Sequence, residues 1–285
     1  MLGYSRPDLI MSLSRPGMLH VVATPIGHRD DISARAIETL RRVKVIAAED
    51  TRHTRPLLQH LGIDTPLVAL HDHNERTAVD GLVDRMRGGD DVALVSDAGT
   101  PLISDPGFRL VRAARAAGLR VSPVPGASAV IAALSVAGLP SDRFVFEGFL
   151  SSKAGARRAR LNELAGESRT LIFYESSHRI VESLEDMSAA FGADREAVVA
   201  RELTKMFETV LDGGLASLVE RVTADPNQQK GEFVVMVAGR EEGEDERLAE
   251  GLRVFAILKE ALPPAKAAKI AAAITGAPRK ALYGS

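Results

Sequence analysis

Cysteine is missing from all 285 residues. Disulfides, thiolate nucleophiles and Cys-ligated zinc are therefore excluded, and nothing argues for an oxidising compartment. Aromatic residues make up only 4% of the chain, too few for a platform on which single-stranded bases would stack. No apolar run approaches the roughly 18 residues that a membrane span needs. The opening MLGYSRPDLIMSLSRPG is broken by polar residues and prolines where a signal peptide carries a continuous apolar core, so the expectation is a cytoplasmic protein with no membrane association. Neither GxxxxGK[ST] nor GxGxxG occurs, which leaves nucleoside triphosphates and dinucleotides without support. Charge of one sign is also lacking: 36 basic residues stand against 38 acidic ones, a balance that argues against coating nucleic acid through bulk electrostatics.

What is present is an ordinary globular composition, 45% apolar and 26% charged, long enough for two modest domains with separate cores. The even charge is locally segregated. Lys153, Arg157, Arg158 and Arg160 fall in a stretch without an acid, residues 241–250 carry six acids against Arg247, and residues 251–285 hold six bases and one acid.

From His20 to Gly138 one unit recurs: a short β-branched run, a polar cluster, then a segment with helical spacing. The runs at 20–24, 44–48, 67–70, 92–96 and 120–124 scarcely alternate, as expected of strands buried on both faces of a parallel sheet. Ile32, Ala36, Ile37, Leu40 and Val43 form one helical stripe, and Leu110, Val111, Ala114 and Ala117 another. Five such units predict a doubly wound α/β domain over residues 18–138. In the second half, strands are predicted at 144–149, 170–174, 197–201, 206–211 and 232–237, with helices at 154–165, 179–191 and 215–222. Only four residues separate the third and fourth of these strands, so they must pair antiparallel, and residues 139–240 read as a second α/β domain with a mixed sheet. Residues 1–17 read as a disordered extension, and 241–285 as an acidic linker followed by a small helical tail.

Open α/β sheets bind ligands beyond the carboxyl ends of their strands. In the first half those positions are Thr24-Pro25-Ile26-Gly27, Glu49 to His53, His71 to Glu75, Ser96 to Pro101 and Pro125 to Ser128. Each is polar or turn-forming, which turns and caps alone explain, but five together at one edge point to a site. In SDAGTPLISDPG (96–107), an acid directly after a buried strand and then a glycine let backbone approach a ligand while the carboxylate accepts hydrogen bonds from it. A haloacid-dehalogenase-type phosphatase would need a second acid where Gly99 stands, and that reading is set aside. His71 and His73, with Glu49, Asp50 and His53, resemble a metal set only loosely and read better as surface polar residues; no metal is expected. Glu147, Glu175, His178, Arg179, Arg201, Glu202 and Lys205 sit at strand ends of the second half, as ion pairs and caps or as catalytic groups; both readings stand. For the basic segment 153–160, a solvated helix face and a phosphate-backbone contact are equally supported.

VVATPIG (21–27), AAEDTRHT (47–54), HDHNE (71–75), VALVSDAGTPLISDPG (92–107), PGASA (125–129), FEGFL (146–150), FYESSHR (173–179) and ARELTK (200–205) together resemble the bacterial ribosomal RNA small-subunit methyltransferase I family, a branch of the tetrapyrrole methylases. The resemblance runs in order from about Met18 to Gly239, and the tail ending near ITGAPRKALY is similar to the family's C-terminal appendage. It implies two α/β domains with S-adenosylmethionine between them, commonly as a homodimer. The implied reaction is methyl transfer to a cytidine ribose 2′-hydroxyl in the decoding region of small-subunit (16S) ribosomal RNA, within the small ribosomal subunit. It implies a cofactor lining of Pro25, Asp97, Ala98, Gly99, Thr100, Ser128 and Ala129, with Tyr174 on the adenosine side. Such a transfer needs an aligned hydroxyl and excluded water, and a group that favours loss of the hydroxyl proton. Glu147, Glu202 and Lys205 are the candidates for that group, and Lys153, Arg157, Arg158, Arg160 and Arg201 for phosphate positioning. His28-Arg29-Asp30 departs from the family's usual Asn-Leu-Gly type of turn, and the first 17 residues have no counterpart. A tetrapyrrole C-methyltransferase and a non-catalytic ribosome-assembly factor are the alternative readings.

Overall fold

The structure, a computed structural model, describes residues 15–71, 75–241 and 243–282. Most of the expected N-terminal extension, and residues 72–74 of the HDHNE motif with His73, lie outside them.

The first sheet contains β1 (Met18–Val22), β2 (Val45–Ala48), β3 (Leu67–Ala69), β4 (Val92–Val95) and β5 (Arg120–Val124), all parallel in the order β3-β2-β4-β1-β5. The strands fail to alternate because both faces are covered. Val45 and Ala47 join Leu19 and Leu94 in one apolar layer, beneath α3 (Glu75–Arg87) and α4 (Phe108–Ala116). Ile46 and Ala48 join Val22 and Val95 in the other, beneath α1 (Ala34–Arg42) and α2 (Thr51–His60). β1 ends two residues earlier than its apolar run predicts, because Thr24 turns its backbone to Gly99 in the loop after β4.

The second sheet has the order β6-β7-β10-β8-β9, built from β6 (Phe144–Phe149), β7 (Thr170–Ser176), β8 (Glu196–Arg201), β9 (Thr209–Gly214) and β10 (Glu232–Val237). β6 and β7 run parallel and the remaining pairs antiparallel, including β8 with β9 as the short connection requires. α6 (Ala154–Leu164), α7 (Ile180–Phe191) and α8 (Leu215–Ala224) cover one face. The other face is covered by α5 (Ala129–Val136), which follows β5 in the chain yet buries Val130 and Ala133 against Ile172, Val198, Val234 and Met236. β9 begins three residues later than predicted, since Met206 and Phe207 form an exposed turn instead of a strand.

The acidic linker is corrected to a helix. α9 (Glu244–Leu258) takes in most of the acidic run, because Leu248, Leu252 and Phe255 recur at helical spacing and pack against Ala267, Ala268 and Ala271 of α10 (Pro264–Thr275). Composition pointed to solvated chain, and the apolar stripe overrides it. No helix among the described residues is long and apolar enough to cross a membrane.

Candidate functional site

The loops beyond the carboxyl ends of β1, β2, β4 and β5 are laced to one another. Thr24 N–H donates to the Gly99 carbonyl at 2.8 Å and Gly99 N–H returns a bond to Thr24 at 3.1 Å. Thr100 Oγ1 donates to the Ala127 carbonyl at 2.9 Å, and Asp97 Oδ1 accepts from Asp50 N–H at 3.1 Å. Gly99 has φ +75°, which calls for glycine, and a Cβ there would sit tightly, 3.2 Å from Ile26 Cγ2.

Against this edge the second domain sets the ends of β6, β7 and β8 and the start of β10, enclosing a cleft of about 500 Å³. Asp97, Ala98, Thr100, Ser104, Asp105, Ser128 and Ala129 line it from the first domain; Phe149, Tyr174, Glu202, Leu203, Lys205 and Phe233 line it from the second. The Tyr174 ring packs edge-on against Phe146, centroids 5.0 Å apart, and obliquely against Phe149 at 5.4 Å, which fixes an aromatic wall. Leu102, Ser104, Glu202 and Thr204 all hold left-handed backbone, with φ of 74°, 69°, 50° and 62°. Such residues cost about 1–3 kcal/mol each and gather at functional loops.

The cleft's charges are graded. Burial, with the Asp97 charge adding to it, pushes the Asp105 carboxyl up to about 6, although Ser96 offers a hydrogen bond that favours ionisation. Burial, and then the Asp105 charge, pushes the Tyr174 phenol up to about 12. At Glu202, burial opposes the charge, but bonds from Lys205 and from the Glu232 N–H outweigh it and hold the carboxyl below its ordinary range. Lys205 is the counterpart: burial lowers it, yet its 2.8 Å bond to Glu202 and its contact with Glu232 keep it firmly protonated.

Not every expected residue reaches this cleft. Glu147 is gripped by Arg160 through bonds of 2.9 and 3.0 Å and lies outside the lining, so it is corrected to a structural partner. Arg157, only 2% exposed, donates to Asp186 at 2.7 Å and pairs with Glu182 at 3.4 Å, which removes it from any phosphate-facing role. Arg201 is likewise buried, spending its guanidinium on the Lys230 and Phe207 carbonyls at 2.7 Å each and so bracing the β8–β9 connection. Lys153 and Arg158 are exposed on α6, with Arg158 3.9 Å from Asp186. Glu175 is buried and bound by Arg179 and Ser183, the ion-pair reading of that strand end. Sequence reasoning missed Asp105, Phe149, Leu203, Gly231 and Phe233. Asp105 lay inside a stretch already singled out, but its burial appears only in the folded cleft; Gly231 and Phe233 carried no local signal.

Pro25 lines a second, smaller pocket of about 330 Å³, together with Thr24, Gly27, Arg29, Arg52, His53, Ser96 and Asp97. Arg29 opens a one-turn 3-10 helix in which His28 Nδ1 accepts from the Asp30 N–H at 3.3 Å, the form taken by the unusual loop after β1. Asp97 lines both pockets.

Residues 18–219 match the family pattern of Tetrapyrrole (Corrin/Porphyrin) Methylases, and residues 245–284 that of the RsmI C-terminal HTH domain. The chain is 64% identical over 272 residues to the ribosomal RNA small subunit methyltransferase I of Xylella fastidiosa, covering 95% of this chain and all of that one. Identity to the proteins of the same name is 60% in Pseudomonas aeruginosa, with 94% and 95% coverage, and 52% in Escherichia coli O157:H7, with 94% and 93%. Among solved structures, the methyltransferase CobJ superposes with a TM-score of 0.58 at 21% identity, over 80% of this chain and 97% of that one. A diphthine synthase superposes with 0.58 at 19%, over 78% and 90%; these two show a shared fold.

Proposed function

Because the chain belongs to the ribosomal RNA small subunit methyltransferase I family, a branch of the tetrapyrrole methylases, we propose that its cleft binds S-adenosylmethionine and methylates the ribose 2′-hydroxyl of a cytidine in the decoding region of small-subunit ribosomal RNA. The observation that carries this reading is the laced loop edge facing an aromatic wall across one cleft. A cleft of about 500 Å³ lies within the roughly 300–1,000 Å³ of small-molecule sites. Its donor set suits the cofactor: Tyr174, Phe149 and Leu203 offer apolar surface to a purine, while Asp97 and Asp105 offer carboxylates to hydroxyl and cationic groups.

When bound, the cofactor supplies a methyl group on a positively charged sulfur, ready for in-line displacement. The chain's own residues then align, desolvate and deprotonate. Asp97, Thr100, Ser128 and Ala129 orient the ligand from the first domain, and Tyr174 from the second. Lys205, kept protonated by Glu202 and Glu232, favours the ionised form of a nearby hydroxyl. Asp105, which lines the same cleft and titrates near neutrality, is the acceptor suited to take the hydroxyl proton at its carboxylate. Lys153 and Arg158, exposed and outside the Arg160–Glu147 pair, serve as outer phosphate contacts. The apolar turn at Met206, 90% exposed, and Phe207, 66% exposed, supports a homodimer in which a second copy covers it.

The decisive experiment is nucleoside mass spectrometry of small-subunit RNA from a deletion strain. The expected result is loss of one 2′-O-methylcytidine, restored when purified protein and S-adenosylmethionine are added to the mutant subunits. An unchanged spectrum would refute the reading.

A further inference from the structure

The pocket beside the cleft is polar and is lined by Arg29, Arg52 and His53 against a single acid, Asp97. Arg52, His53 and Arg55 occupy the first turns of α2, where no acid stands in the first turn, although the helix dipole disfavours positive charge at that end. Arg29 adds a guanidinium from a different element and makes no ion pair among the described residues. Arg52 binds the Asp50 carboxylate through Nε and Nη2, at 3.1 and 2.7 Å, and leaves Nη1 uncommitted. The basic segment of α6 is the opposite case. Arg157, Arg158 and Arg160 are answered by Glu147, Glu163, Glu182 and Asp186, so most of the cluster that looked cationic in sequence is neutralised in place.

Shape gives the cation cluster a meaning. The pocket includes Gly27 and shares Asp97 with the cleft, so the two spaces adjoin at that residue. Pro56 and Leu57 supply an apolar flank next to the cations. An anionic group joined to a compact, partly apolar one fits this lining, as a phosphodiester joined to its nucleoside does. We propose that this pocket seats the phosphodiester adjoining the target ribose, held by Arg29, Arg52 and His53, and that the sugar enters the cleft past Asp97. The assignment rests on the reading of the cleft as a ribose methylation site and adds the feature that positions the strand. Arg29, Arg52 and His53 are positioning residues; none of them lines the cofactor cleft.

The test uses the full chain, small subunits from a deletion strain, and the double variant Arg29→Gln/Arg52→Gln. A charge-matched control, Arg112→Gln/Arg115→Gln, alters two exposed residues of α4, which covers the face of the sheet opposite α2. For the Arg29/Arg52 variant, kcat/KM falls 10- to 100-fold, mainly through KM, and the slope of log affinity against log salt shrinks by about 0.7, the value for one lost single-strand phosphate contact. Affinity for S-adenosylmethionine, measured by titration calorimetry, stays within twofold and shows that the variant is folded. The Arg29→Lys/Arg52→Lys variant restores the salt slope while KM stays raised, since an ammonium keeps the charge without the guanidinium's fork. If wild-type protein methylates the subunits and the Gln variant matches the control in KM and salt slope, the phosphate seat is overturned and the methyltransferase reading stands. If wild-type protein itself leaves the subunits unmethylated, the failure belongs to that reading instead.

Discussion

The backbone N–H of His28 donates to Thr204 Oγ1 at 3.0 Å, closing the first domain onto the second immediately beside Gly27. A Cβ on Gly27 would stand 2.6 Å from both Thr204 Oγ1 and Lys205 Cγ, and 2.9 Å from the Leu203 carbonyl. Gly27→Ala is therefore expected to push the two loops apart, destabilising the fold by about 1–3 kcal/mol and weakening S-adenosylmethionine binding by about tenfold. Calorimetric titration beside a thermal melt checks both, and unchanged affinity would mean that this contact does not set the cleft.

Asp105 gives a pH signature. Its carboxyl is raised from an ordinary 3.8 to about 6, so the folded chain binds that proton more tightly than the unfolded one. Its contribution to stability thus grows as pH falls from about 7 to about 4, and above pH 6 its charge is a cost. Asp105→Asn is expected to stabilise the protein by about 1–2 kcal/mol at pH 8, after allowance for partial solvent screening, and by almost nothing at pH 4. The same variant should lose most activity and, with it, the acid limb near pH 6 in kcat. Denaturant melts at the two pH values and a pH–rate profile separate the two effects.

Arg157 carries a prediction opposite in kind. Replacing it with Met leaves Asp186, itself mostly buried, without its 2.7 Å partner, a loss of about 3 kcal/mol. The expected outcome is a lower melting temperature with unaltered salt dependence of subunit binding. A changed salt slope in folded protein would return Arg157 to the RNA interface.

Tyr174 separates ring from hydroxyl. Tyr174→Phe keeps the packing against Phe146 and Phe149 and should hold cofactor affinity within about threefold, whereas Tyr174→Ala removes one side of the aromatic wall and should weaken it about 10- to 100-fold. Equal losses in both variants would assign the binding to the phenol oxygen.

The strands were legible because a doubly covered sheet writes itself as unbroken β-branched runs, and the laced loops because they follow those runs directly. Charge was less legible. Arg157 and Asp186 lie 29 residues apart on neighbouring helices, and nothing near Arg157 in sequence announces a buried partner. Glu147 likewise looked like a free strand-end acid until Arg160 was seen across from it. Asp105 is the converse: the residue stood in a marked stretch, but its proton affinity comes from burial in the folded cleft beside Asp97, which no local pattern encodes. The expected loop residues from Asp97 to Thr100 and at Ser128 and Ala129 therefore gather where the backbone dictates their position, whereas Glu147, Arg157 and Arg201 are drawn away by partners distant in sequence.

α5 has a further consequence. Its apolar residues cover the second sheet while Ser128 and Ala129, at its beginning, line the cleft at the edge of the first. One rigid helix is thus shared between two folding units that chain order would separate at Gly138. A chain cut at that glycine would strand an apolar helix on the wrong fragment, and the halves would have to reassociate to bury it. Joined in this way, the sheets have little freedom to swing as jaws, so access to the cleft falls to the loops that rim it.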